Sequence, residues 1–123
     1  RATDFMPAAR PLISWAYALQ GEGRHEEARA LMTHLLHLKR TGRAAEFPFE
    51  ARAYAVLAEC AEIQGDRAAA TDFYGKALQN VRLVSESEGR RWARRYFQLL
   101  VRQGESGLAR EILRRFSFRT IRE

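Results

Sequence analysis

The chain has 123 residues, of which 46% are hydrophobic and 29% charged, a balance that excludes a disordered polypeptide and suits one domain with one core. No apolar run approaches the roughly 18 residues of a membrane span. The single cysteine, Cys60, excludes an intrachain disulfide and the paired-cysteine zinc motifs. The net charge is +6, and all of it lies in the last third: residues 1–81 hold ten basic and ten acidic side chains, residues 82–123 eleven arginines against five glutamates. Such a surplus suits an acidic partner, although an arginine- and alanine-rich composition is also what a GC-rich genome produces. The chain begins at Arg1 and not at methionine, as a processed form or an excised domain does. Cys60 fits a reducing compartment, with the cytoplasm as the first expectation.

Helix-period hydrophobicity and good helix formers run throughout, broken at regular places. The first helix is expected over about residues 9–20, with Pro11 in its first turn. Gly21-Glu22-Gly23 stops it, and a second helix covers about 25–40. Residues 41–47 read as a loop. Pro48 opens a third helix that reaches Gln64, where Gln64-Gly65-Asp66 makes the next turn. The fourth helix is expected over about 67–84. Ser85 and Glu88 form a capping-box pattern, the hydroxyl taking an orphan N–H and the carboxylate reaching back. The fifth helix then ends near Gln103, Gln103-Gly104-Glu105 turns the chain, and the sixth covers about 106–116. A tail, 117–123, holds Phe118 and Ile121.

Three helix–turn–helix units follow, at about 9–40, 48–84 and 86–116, in a single domain. Laid on their glycines they share a register. The middle unit places Tyr54, Leu57, Ala58 and Ala61 on its first helix and Ala70, Tyr74 and Ala77 on its second. The first unit offers Leu12, Trp15, Ala16 and Leu19, then Ala28 and Met32. The third offers Ala93, Tyr96, Phe97 and Leu100, then Ala109 and Leu113. Ala16 to Ala28, Ala58 to Ala70 and Phe97 to Ala109 are each twelve residues apart. Ala58 and Ala70 put small residues on both sides of the middle hairpin, letting its helices approach, and the larger ones fill the space between hairpins; Phe97 makes the third hairpin pack differently.

This pattern resembles the tetratricopeptide repeat (TPR) family: a large residue, Leu-Gly, a further core residue, then Ala-x3-aromatic, with QGD at the turn. Ala16 and Ala58 stand where the family has glycine, Phe97 is larger still, and the proline after the second helix is missing. Equivalent positions are 42 and then 39 residues apart, not 34, which resembles the long-helix varieties. The resemblance implies an all-α fold of three antiparallel hairpins stacked as a right-handed superhelix. Another all-α hairpin stack is the plainer alternative.

No catalytic constellation is present. His34 and His37 lie one turn apart but lack further zinc ligands, Cys60 has no base near it in sequence, and there is no G-x-S-x-G or phosphate-loop motif. Glu59 and Glu62 read as a solvated or partner-facing pair. No enzyme, metal site or cofactor is expected.

In the TPR family the first helix of each hairpin lines a concave groove. Carried over, the resemblance implies partner-binding residues Arg10, Ile13, Tyr17 and Gln20 in the first unit, and Arg52, Ala55, Glu59 and Glu62 in the second. In the third it implies Arg91, Arg94, Arg95, Gln98 and Arg102, expected as a basic stripe on the fifth helix. Ile13, Tyr17 and Val56 stand where the family's carboxylate clamp has lysine and asparagine. Only Arg91 and Arg95 match basic clamp positions, so a chaperone C-terminus is not the expected ligand. The resulting expectation is a protein–protein interaction module, such as a bacterial scaffold or the partner-sensing part of a larger protein. Its groove would take an acidic peptide or protein. The alternative is a nucleic-acid or acidic-surface binder using the C-terminal arginines, the weaker reading for want of a nucleic-acid fold. Leu113, Phe116, Phe118 and Ile121 have little sequence after them to cover them, so the tail is expected to fold back as a cap, or this C-terminal end to meet another subunit in self-association or a missing part of the chain.

Overall fold

The computed structural model describes residues 2–41, 48–79, 81 and 84–116, with side chains from residue 11 onward except 39–41 and 48. These residues form six helices: α1 (Ala2–Gly21), α2 (His25–Thr41), α3 (Pro48–Ile63), α4 (Arg67–Gln79), α5 (Glu86–Arg102) and α6 (Ser106–Phe116). No strand occurs among them. Thr41, expected to open a loop at 41–47, is the last residue of α2; the rest of that loop, 42–47, and the tail at 117–123, expected as a cap, lie outside the described residues.

Three tight turns set the architecture. At each, a glycine takes positive φ: Gly23 at 79°, Gly65 at 83° and Gly104 at 79°. The backbone bonding then repeats. The residue after the glycine donates its N–H five residues back, Arg24 to Leu19 at 2.9 Å, Asp66 to Ala61 at 2.8 Å and Glu105 to Leu100 at 2.9 Å. The glycine itself bonds three residues back, at 3.0–3.1 Å in all three turns. This is the paired closure that satisfies the last carbonyls of a helix, and it needs a residue without a Cβ at the left-handed position. The carbonyls of Arg24, Asp66 and Glu105 then accept the first bond of the next helix, from Ala28, Ala70 and Ala109. Each turn is thus as short as two helices allow.

Every helix packs against the next, and α1 also meets α3. Two apolar cores result. One joins α1, α2 and α3 around Ala16, Met32, Leu35, Val56 and Leu57. The other joins α3 to α6 around Tyr74, Leu78, Trp92, Leu99 and Leu100. Helix α3 belongs to both. Its alanines at 51, 53, 55, 58 and 61 are all buried, so neighbours close in on it from several sides. Ala58 and Ala70, expected at the close crossing, are both fully buried in the second core.

Several expectations need correction. Helix α1 begins at Ala2, not near residue 9, so Pro7 and Pro11 both lie within it. Each proline removes one backbone donor, but Pro11 is exposed and leaves the core residues Ile13 and Ala16 undisturbed. Helix α4 ends at Gln79, not Val84. Val81 packs against the backbone of Gly89 in α5 so closely that a Cβ there would collide with it.

Candidate functional site

From Phe49 on, helix α3 is buried except for Glu50, Tyr54, the exposed terminal Ile63 and a polar stripe, Arg52, Glu59 and Glu62, spaced to share one face. That stripe is met from both sides. From α1, Gln20 Nε2 donates to Glu59 Oε1 at 3.0 Å. From α5, Arg91 lies 3.9 Å from the other oxygen of Glu59. Arg52 holds Glu88 of α5 through a fork, Nε and one terminal nitrogen each 3.0 Å from a carboxylate oxygen. The same carboxylate accepts the backbone N–H of Ser85 at 3.3 Å, so the capping box foreseen at Ser85 and Glu88 also anchors α5 to α3. Farther along, Arg95 of α5 donates to Glu62 Oε1 at 2.8 Å, and Tyr74 from α4 donates to the same oxygen at 3.1 Å.

The electrostatics follow from these contacts. The Arg52 fork holds the Glu88 carboxyl below the usual glutamate range. Burial raises the Tyr74 hydroxyl well above the ordinary phenol range, so it stays protonated and donates. Tyr17 is raised by partial burial and then by the Glu88 charge, with Arg52 opposing and Glu59 and Arg91 also in reach. Tyr17 therefore sits in the field of four of these side chains, and α1, α3 and α5 present one continuous polar surface.

Of the residues expected to bind a partner, Tyr17, Arg52, Glu59, Arg91 and Arg95 are brought together here. Tyr17 is 41% exposed and the Arg91 side chain 60%. Gln98 and Arg102 are exposed on α5, and Arg94 is half-buried there. The side chain of Arg10 lies outside the described residues. Ile13 does not belong: at 5% exposure it is a core residue packed with Ala16 and Leu19, and Ala55 is buried likewise. In exchange Trp15, expected in the core, is 57% exposed. The basic stripe is also corrected. Arg52, Arg91 and Arg95 face Glu88, Glu59 and Glu62, one carboxylate for each guanidinium. The neutralising charges for Arg91 and Arg95 come from α3, not from their own helix. Glu88, and the buried Tyr74 beneath the surface, join this network without being expected there, since only three-dimensional packing carries them to it.

Cys60 is buried, and that burial, with Glu59 nearby, pushes its thiol up to about 11. It is an unreactive core thiol at neutral pH. Among the described residues no group of three or more His, Cys, Asp or Glu is placed to hold a metal ion. Nor is any helix among them long and apolar enough to cross a membrane.

These features define an all-helical, repeat-like domain with a polar face built from the first helix of each hairpin. A comparison with known protein families finds no match to this chain, and a comparison with curated proteins finds none.

Proposed function

We propose that the chain is a protein-interaction module of the TPR type, its three hairpins wound as a right-handed superhelix, which binds a peptide or partner protein on the α1–α3–α5 face. The observation that carries this reading is the exposed Arg91 guanidinium, loosely held at 3.9 Å from Glu59 beside the exposed ring of Tyr17. A side chain so placed can exchange its long ion pair for a ligand carboxylate, which its planar fork can grip with two bonds. Tyr17 supplies a rigid apolar ring with a polar tip, a type enriched where proteins meet. The firmer pairs, Arg52–Glu88 and Arg95–Glu62, keep the surface in one shape, which lowers the ordering cost of binding. The expected ligand is an extended or helical segment with an acidic group near Arg91 and an aromatic or aliphatic residue near Tyr17.

The test is capture of a partner from the source cell by wild type and by the double variant Arg91→Glu, Arg94→Glu. Loss of a protein partner with helicity unchanged supports the reading. Equal capture by both refutes it. The alternative, nucleic-acid or acidic-surface binding, draws on the exposed arginines Arg102, Arg110, Arg114 and Arg115 of α5 and α6. A salt titration separates the two, because phosphate contacts release counterions and binding falls steeply with salt.

A further inference from the structure

The repeat register gives each residue of α1 a counterpart in α3 and α5. Pro11, Ser14, Trp15 and Ala18 of α1 are all exposed. Their counterparts in α3, namely Ala53, Val56, Leu57 and Cys60, are buried in the core formed with α1 and α2. In α5, the counterparts Trp92 and Leu99 are buried in the core shared with α3 and α4, and Arg95 and Tyr96 are half-buried against it. The same face is therefore covered twice by the preceding hairpin and left open once, at Trp15.

The covering contacts are themselves equivalent. Arg29 of α2 donates to Gln64 in the following turn at 2.7 Å. Gln103, the counterpart of Gln64, donates to Thr71, the counterpart of Arg29, at 2.8 Å. Tyr96 of α5, the counterpart of Trp15, sits against Gly75 of α4. Continuing the register one step past α6 replaces Thr71 by Arg110 and Gly75 by Arg114, both exposed. One step before α3, Gln64 becomes Glu22, also exposed, and Tyr96 becomes Trp15. Carried on in this way, the register makes the two ends complementary: it sets Arg110 opposite Glu22, which now pairs with Arg24 at 3.0 Å, and Arg114 over the indole of Trp15. An arginine pairs well with both a carboxylate and an indole face.

We infer that the Trp15 face of α1 is a docking surface for the α6 face of a second copy of this chain, so that copies add head to tail as the hairpins do within one molecule. Such a contact joins two different surfaces and does not close on itself. It is distinct from the α1–α3–α5 polar face and stands whether or not that face binds a peptide.

Sedimentation velocity on the intact chain tests it, with Trp15→Arg and Arg110→Glu as variants. Both substitutions fall on exposed positions, and circular dichroism verifies the fold. Wild type should show a mean mass that rises with concentration. Each single variant should associate at least about tenfold more weakly, as truncating a central tryptophan or arginine contact does. Each variant keeps one working end, so an equal mixture of the two should form a 1:1 dimer and nothing larger. A wild type that stays monomeric at every concentration overturns the inference. So does a mixture that remains monomeric, or an Arg110→Glu variant that associates like wild type, which would point to Trp15 meeting Trp15.

Discussion

Ala70 and Ala68 lie half a turn apart in α4, and the same substitution should act in opposite directions at the two. Ala70 is fully buried between α3 and α4, while Ala68 is exposed in the first turn. Glutamate at position 70 places a carboxylate where no charge is buried now. The desolvation cost of an ion in a real protein is several kcal/mol, to which overpacking adds about 1–3 kcal/mol. Relaxation and protonation relieve part of this, leaving a loss of at least about 3 kcal/mol, against a typical total stability of about 5–15 kcal/mol. For a chain of this size that lowers Tm by on the order of 10 °C or more. At position 68 a glutamate meets the positive end of the helix dipole, in a first turn that has no acidic residue. It should raise stability by about 0.3–1 kcal/mol. Chemical denaturation of Ala70→Glu and Ala68→Glu beside wild type measures both. Equal stabilities for the two variants would show that the register derived from the three turns is wrong.

Gly65→Ala forces a Cβ onto a residue at φ 83°, with open space around it, so the cost is backbone strain alone, about 1–2 kcal/mol; a Tm equal to wild type refutes the turn geometry. Gly89→Ala gains about 1 kcal/mol of helix propensity but collides with Val81, and overpacking of about 1–3 kcal/mol should win; a stabilised variant in urea denaturation would mean that Val81 moves aside easily. Glu88 has a folded pKa below its ordinary value of 4.5, so its pairing stabilises the fold fully above that pH and the benefit is lost as pH falls through the folded value. Glu88→Gln should therefore flatten the stability–pH curve below about pH 4.5, and an unchanged slope contradicts the role given to Arg52. Cys60 should resist alkylation at neutral pH until the chain unfolds, and rapid labelling of the folded protein would place it outside the core.

The hairpin turns and the alanine register were legible because their signals are local. Glycine at the left-handed position and small residues twelve apart act within one hairpin. The facing of α1 was legible only in part: Ala16 and Leu19 are buried as expected, but Ile13 is buried and Trp15 exposed against expectation. Leu12, Ile13, Trp15, Ala16, Tyr17 and Leu19 make that helix apolar almost all round, so periodicity could not choose which side turns inward. Neighbours chose it: Ile13 meets α2 and α3, whereas no hairpin among the described residues lies over Trp15. The polar surface was half legible for a related reason. Its residue types could be placed on faces, but Arg52 to Glu88 and Glu62 to Arg95 span 36 and 33 residues. Charge counting along a single helix therefore missed that Arg91 and Arg95 of the basic stripe pair with glutamates of α3.

At each tight turn one residue, Arg24, Asp66 or Glu105, gives its N–H to the helix behind and its carbonyl to the helix ahead. An inserted or deleted residue there breaks the end of one helix and the start of the next together. Length variation has to be absorbed elsewhere: the periods of 42 and 39 residues differ because α2 and α3 are together three residues longer than α4 and α5, while the three turns stay alike. For engineering, the glycine turns are therefore the places to leave untouched, and a change of length belongs in the helices that already differ in length.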